Sequence, residues 1–342
     1  MLGLIVVAVA WCALADTASA QPLREVFRRA NPSVVLVRTT VDNPAHGASG
    51  AAPTEGMGSG VLVSDDGKVL TAAHVVKAGE TIQVSFLDGV PIPARVISMA
   101  PFADIALLQL DRVPLGATAA TFGNSDLLET GDQVFTIGAP YGANHSLAVG
   151  WISARRQPSG VYEDATALEV LQTDLDVFEG NSGGPLFDMK GHVIGIVTHV
   201  LSEERSSGGP SFSVAGNVVK RLMLEDRRPW FGVESLMLEG PLAEALNVPG
   251  PAGLLVQTVS PGSLAARLGL RGGSLPTTIA DAPVLLGGDI LFEVLGTAID
   301  GSATFMSGFL AALDRLQVGD FVSVRVWRGG KAVLLSTTVT AP

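Results

Sequence analysis

FEGNSGGPLF, from Phe178 to Phe187, is the stretch on which the reading of this chain turns. A serine hydroxyl is a weak nucleophile at neutral pH. It needs a neighbouring base, and backbone N–H groups aimed at the oxyanion that forms on attack. The run supplies a candidate nucleophile, Ser182, and everything except the base. Gly180 has no Cβ and can turn its N–H toward a carbonyl, while Gly183 and Gly184 let the following chain pass close by. The same spelling is also ordinary turn chemistry between strands. The nucleophile reading therefore requires a histidine and a carboxylate elsewhere in the chain.

Both occur upstream. In TAAHVV, from Thr71 to Val76, His74 directly follows a strand, and its alanine neighbours are small enough to leave the ring accessible. In PFADIALLQL, from Pro101, Asp104 opens an apolar strand. Alone, each has a bland reading, as a satisfied structural histidine and as a strand-edge cap. Together His74, Asp104 and Ser182 make the set that serine chemistry requires: the imidazole takes the hydroxyl proton, the carboxylate fixes its tautomer, and backbone N–H groups hold the oxyanion.

The 342 residues exceed one ordinary domain, and 47% hydrophobic against 16% charged residues provide for substantial cores. Forty glycines and 20 prolines between short β-branched runs favour a turn-rich β protein. A net charge of −11 leaves no basic stripe for phosphates, which argues against a nucleic-acid partner. Residues 1–20 hold an apolar run and the small-residue exit Ala18-Ser19-Ala20, like a secretory signal peptide. No Lys or Arg precedes the run, so a retained membrane anchor is the alternative. Cys12, the single cysteine, lies inside that segment. The mature chain is thus expected to lack disulfides and cysteine-based sites. His46, His145, His192 and His199 show no ligand spacing, and no metal or cofactor is expected.

Strands are expected over 33–41, 59–63, 69–71, 81–86, 93–98, 133–137, 146–153, 168–174 and 192–200, and residues 42–57 read as a long loop. Charges cluster over 220–229, which marks a domain boundary. Beyond it, strands are expected at 253–259, 321–327 and 332–339, a turn with a short helix at 261–270, and an amphipathic helix at 303–313. This pattern is a small mixed α/β module.

GSGVLVSDDGKVLTAAHVV, DIALLQL, VFTIGAPYG, LQTDLDVFEGNSGGPLFDMKGHVIGI and the later WFGV, in that order, resemble the HtrA (Deg) family of serine proteases. The resemblance implies a mostly β chain: a chymotrypsin-like double β-barrel over 21–222, then a PDZ domain over 229–342. It assigns His74 as general base and acid, Asp104 as its orienting carboxylate and Ser182 as nucleophile, with the N–H groups of Gly180, Asn181 and Ser182 as oxyanion donors. It also implies an exported endopeptidase of the periplasm or exterior that degrades unfolded polypeptides, assembled through trimers. A peptide-binding holdase with little proteolysis is the alternative.

In the PDZ domain, Trp230, Phe231, Gly232 and Val233 match the loop that receives a peptide's terminal carboxylate, with Phe231–Ser235 expected as the strand that pairs with the peptide and the helix 303–313 as the opposite wall. Its Phe305, Phe309 and Leu313 predict preference for an apolar last residue. For cleavage, two cues conflict. Asp176 stands where trypsin-like enzymes place the acid that selects Lys or Arg, whereas Val177 aligns with a pocket-lining aliphatic residue. Strand alternation sends the two to opposite faces, and a buried, unpaired carboxylate is costly. The expectation is cleavage after small or medium aliphatic residues.

Overall fold

β-branched runs bounded by glycine, proline and aspartate turns close into two barrels. The computed structural model describes residues 23–41, 54–76, 80–142, 145–157, 168–198, 210–225, 230–279 and 282–340. The expected signal segment over residues 1–20, which includes Cys12, lies outside the described residues, as do His46, His199 and residues 42–53 of the expected loop. The first barrel contains β1 (Val34–Val41), β2 (Thr54–Leu62), β3 (Lys68–Ala72), β4 (Glu80–Ser85), β5 (Pro91–Ala100) and β6 (Ile105–Leu110), in the closed order β1-β2-β3-β6-β5-β4. The second contains β7 (Gln133–Gly138), β8 (Ser146–Arg156), β9 (Val170–Thr173), β10 (Pro185–Asp188), β11 (Val193–Thr198) and β12 (Ser211–Ala215), in the order β10-β11-β12-β9-β8-β7.

The alternation of side chains explains how the barrels are joined. On β6, Ala106 and Leu108 point into the first barrel with Val69 and Leu62, while Ile105 and Leu107 join a second core that includes Phe135, Phe187 and Ile196. β3 behaves likewise, with Val69 on one side and Leu70 on the other. Successive residues face opposite ways along a strand. A strand apolar on both faces therefore fills its own barrel and docks against the neighbouring one. The helix Leu23–Ala30 adds Val26 and Ala30 to this shared core, where Phe135 and Phe187 stack with centroids 5.1 Å apart.

The C-terminal module is PDZ-like. Its sheet runs β13 (Val233–Glu239), β14 (Ala252–Val259), β17 (Ile290–Val294), β19 (Phe321–Arg328) and β20 (Lys331–Thr338); β18 (Thr297–Ala298) pairs with β17, and β15 (Leu275–Ile279) with β16 (Ala282–Leu286) forms a separate hairpin. Helices span Gly240–Ala245, Leu264–Leu268 and Ala303–Arg315. The last is capped by Ser302, whose hydroxyl accepts the Phe305 N–H at 3.0 Å.

Two expectations require correction. Residues 54–57 belong to β2 and not to a loop: Met57 pairs with Arg38 and Glu55 with Thr40. Glycine made the segment read as irregular, yet Gly56 is needed there, because a Cβ would lie 2.4 Å from Thr39 Oγ1. The strand expected at Phe231–Ser235 begins at Val233 and continues to Glu239. β10, β12, the β15–β16 hairpin, β17 and β18 were not foreseen.

Candidate active site

β3 and β6 pair in antiparallel register, with Ala72 opposite Ile105, so the residues just past each strand end meet. Beyond β3, the 3₁₀ turn Ala73–Val75 carries His74. Before β6, the 3₁₀ turn Pro101–Ala103 ends at Asp104, which adopts a left-handed conformation at φ 54° that aspartate tolerates better than most residues. The Ala73 N–H donates to the Asp104 carbonyl at 3.0 Å. The Asp104 carboxylate lies against His74: Nδ1 is 2.8 Å from Oδ2 and 3.0 Å from Oδ1, and the His74 backbone N–H donates to Oδ1 at 2.9 Å. The Thr198 hydroxyl, at the end of β11, donates to Oδ2 at 2.6 Å.

Burial pushes the Asp104 carboxyl up, but the bonds from His74 and Thr198 outweigh it and hold it below the ordinary carboxylate value of 3.8. Asp104 is 6% exposed and ionised at neutral pH, so it favours the tautomer with the proton on Nδ1, which makes Nε2 the acceptor nitrogen of the ring.

Ser182 sits half-buried on the turn before β10, and its carbonyl accepts the Ser59 N–H of β2 at 2.8 Å. Gly58 separates it from the histidine turn, since a Cβ there would lie 2.8 Å from the Ser182 carbonyl oxygen and 2.6 Å from Val75 Cγ2. The nucleophile turn is thereby seated against the segment that carries His74.

The preceding turn is held peptide by peptide. The Glu179 carbonyl accepts the Tyr141 N–H at 2.8 Å. The N–H and C=O of a trans peptide point in opposite directions, so the Gly180 N–H faces away from the 139–141 segment. Gly180 has φ 101°, and a Cβ on it would fall 2.1 Å from the Ala139 carbonyl oxygen, so only glycine fits. Of the three amides expected to receive an oxyanion, Asn181 is the exception. Its N–H donates to the Phe178 carbonyl at 3.0 Å and closes the turn. Gly180 and Ser182 N–H, which donate to no described backbone carbonyl, remain as the pair that can receive a substrate oxygen.

Asp176 is exposed, while Val177 is half-buried and packs against the second barrel's core, so the two occupy different environments. At the C-terminal module, the carbonyls of Trp230, Phe231 and Gly232 accept the N–H groups of Leu264 (3.1 Å), Ala265 (2.9 Å) and Ser260 (2.9 Å). These bonds anchor the loop from behind. Gly232, at φ 74°, lies so close to Ser263 that a Cβ would approach its Cβ to 2.1 Å. Phe231 meets Phe309 edge-on at 5.7 Å, and Phe305 stacks on Phe309 at 6.0 Å. The far edge of β13 is unpaired among the described strands.

Thr198 and Ser59 were missed from the sequence. Thr198 closes the apolar run of β11, where a hydroxyl at a buried strand end was the available signal. Ser59 is a lone polar residue between Gly58 and Gly60.

Two barrels with His74, Asp104 and Ser182 at their seam define a protein of the trypsin-like serine peptidase class. Residues 58–196 match the model of the trypsin-like peptidase domain. A probable periplasmic serine endoprotease DegP-like of Halomonas elongata is 33% identical over 291 residues, which are 83% of this chain and 56% of that protein. The putative serine protease HhoB of a Synechocystis species is 31% identical, over 82% of this chain and 66% of its own length. Among solved structures, the HtrA-type protease AlgW with a tripeptide superposes with a TM-score of 0.51 at 29% identity, covering 93% of this chain and 96% of that one. This chain belongs to the HtrA (Deg) family. It spans just over half the length of the first DegP-like relative.

Proposed function

We propose that the chain is an exported serine endopeptidase that degrades unfolded or misfolded polypeptides of the cell envelope. In this reading His74 Nε2 takes the Ser182 proton as the hydroxyl attacks, and Asp104 stabilises the imidazolium that forms. Gly180 and Ser182 N–H hold the oxyanion, and His74 then returns the proton to the leaving amine. The observation that carries it is the Glu179 carbonyl bound to Tyr141 N–H. The opposite orientation of that peptide would send the carbonyl oxygen toward the oxyanion's position. The holdase alternative needs a site that is not competent, and this orientation supports a competent one.

The periplasmic names of the DegP-like relatives support an envelope location, and no helix among the described residues is long and apolar enough to cross a membrane. The protease domain is assigned to 21–222 and the PDZ domain to 229–342, with assembly through trimers. The PDZ loop 230–233 takes carboxy-terminal peptides, consistent with peptide-bound AlgW structures. Exposed Asp176 and core-packed Val177 support cleavage after aliphatic residues rather than Lys or Arg. Incubation with unfolded casein tests the function. Degradation that is lost in Ser182→Ala supports it, whereas protection of casein from aggregation without cutting, equal in Ser182→Ala, overturns it in favour of the holdase.

A further inference from the structure

The residue that joins the two barrels at the nucleophile turn is Ser59. It is fully buried, on β2 of the first barrel, and each of its polar groups is engaged. Its N–H donates to the Ser182 carbonyl at 2.8 Å, and its own carbonyl accepts the Thr71 hydroxyl at 2.7 Å. Its hydroxyl donates to the Gly180 carbonyl at 2.7 Å and accepts the Ala139 N–H at 3.0 Å. Three of these partners, Ser182, Gly180 and Ala139, belong to the second barrel's loops.

We infer that Ser59 is a positioning residue for oxyanion stabilisation, its hydroxyl holding the backbone on both sides of Gly180 so that the Gly180 N–H faces the substrate. This rests on the serine-endopeptidase reading above. The peptide after Gly180 is held directly, through its carbonyl. The peptide before it is held through the 139–141 segment: Ala139 is fixed by Ser59, and two residues on the Tyr141 N–H fixes the Glu179 carbonyl. Glycine populates positive and negative φ alike, so Gly180 resists reorientation only as far as its neighbours prevent it. A hydroxyl, as donor and acceptor at once, can satisfy a carbonyl and an N–H together. An alanine can satisfy neither, and it would leave both buried and free to seek other partners.

The test compares the full chain with Ser59→Ala and Ser59→Cys, the latter keeping a weaker donor. Turnover of a chromogenic peptide is measured together with inhibition by a peptide aldehyde and by the matching alcohol. The aldehyde forms a tetrahedral adduct with its oxygen between the Gly180 and Ser182 N–H groups, whereas the alcohol uses only the peptide subsites. Loss of a whole oxyanion donor costs on the order of 10²–10³-fold in kcat. Loosening one through its support should lower kcat about 10- to 100-fold in Ser59→Ala, with KM within about threefold. The aldehyde-to-alcohol affinity ratio should fall by a similar factor, with Ser59→Cys intermediate. A folded Ser59→Ala with kcat and ratio within twofold of wild type overturns the inference, as does a fall in kcat with an unchanged ratio. If Ser59→Ala does not fold, Ser59→Cys decides by the same ratio. Wild type that neither cuts nor labels at Ser182 would instead sink the protease reading itself.

Discussion

Asp104→Asn tests the orienting role of the carboxylate, and the structure fixes which way the amide must turn. The His74 backbone N–H that faces Oδ1 at 2.9 Å can only donate, so the amide oxygen must take that place. The NH₂ then replaces Oδ2, which now receives His74 Nδ1 at 2.8 Å and the Thr198 hydroxyl at 2.6 Å. Thr198 can rotate and accept from the amide. An NH₂ at 2.8 Å from Nδ1 favours Nδ1 as an acceptor over its donation to the amide oxygen at 3.0 Å, which moves the ring proton to Nε2 and removes the acceptor proposed as the base for Ser182. In serine proteases this tautomer error costs on the order of 10⁴-fold in kcat, or about 5.4 kcal/mol in the barrier. Steady-state cleavage of a peptide substrate by both proteins, with melting curves showing that the variant is folded, measures it. A folded Asp104→Asn enzyme whose kcat stays within tenfold of wild type would rule out an orienting role for the carboxylate.

Other expectations follow from the same geometry. The Asp104 carboxyl titrates below 3.8, so its contribution to stability is fully present above that value and is lost as pH falls through its lower folded value; the Tm gap between wild type and Asp104→Asn should narrow over that acid range, and a constant gap would contradict the assignment. Gly180→Ala must place a Cβ 2.1 Å from the Ala139 carbonyl oxygen in a left-handed conformation, and should lose at least about 2 kcal/mol in denaturant unfolding along with nearly all kcat. Carboxy-terminal peptides with an apolar last residue should bind the PDZ groove, and amidating the terminus should weaken binding at least about tenfold; equal affinities by calorimetry would remove loop 230–233 from the site. Mapping new termini in a digested denatured protein mixture should show cleavage after Val, Ala or Leu, broadly, since pockets of this kind discriminate by about 1–3 kcal/mol per methylene. Cleavage after Lys and Arg that disappears in Asp176→Ala would show that the acidic cue outranks the aliphatic one.

Much of this was legible in the sequence because it depends on local chemistry. The run 193–198 contains little besides strand-forming residues, 105–110 is a short apolar run bounded by turn signals, and the turn from Gly180 to Gly184 contains residues that little else would require. Segments with mixed signals were read less well. β2 starts at Thr54 because Gly56 and Gly58 make room for Thr39 and for Ser182, and that need is visible only once the partner strands are paired. β12 is five residues long, and two serines dilute its apolar signal. Asn181 was expected to donate to the oxyanion, whereas its N–H closes the turn onto Phe178, a choice made by backbone dihedrals that residue types do not encode. Thr198 and Ser59 act across 94 and 121 residues of chain, on Asp104 and Gly180 respectively. Without the fold, nothing connects them to the site.

Whether Ser182 is a nucleophile activated by His74 beside a formed oxyanion site is tested by a fluorophosphonate probe, because its reaction requires all three elements. A single adduct is expected, located by peptide mapping on Ser182, that is absent in Ser182→Ala and strongly slowed in His74→Ala. Failure of folded wild-type protein to label in any assembly state, with or without a peptide at the PDZ groove, or labelling at another serine, would contradict that role for Ser182.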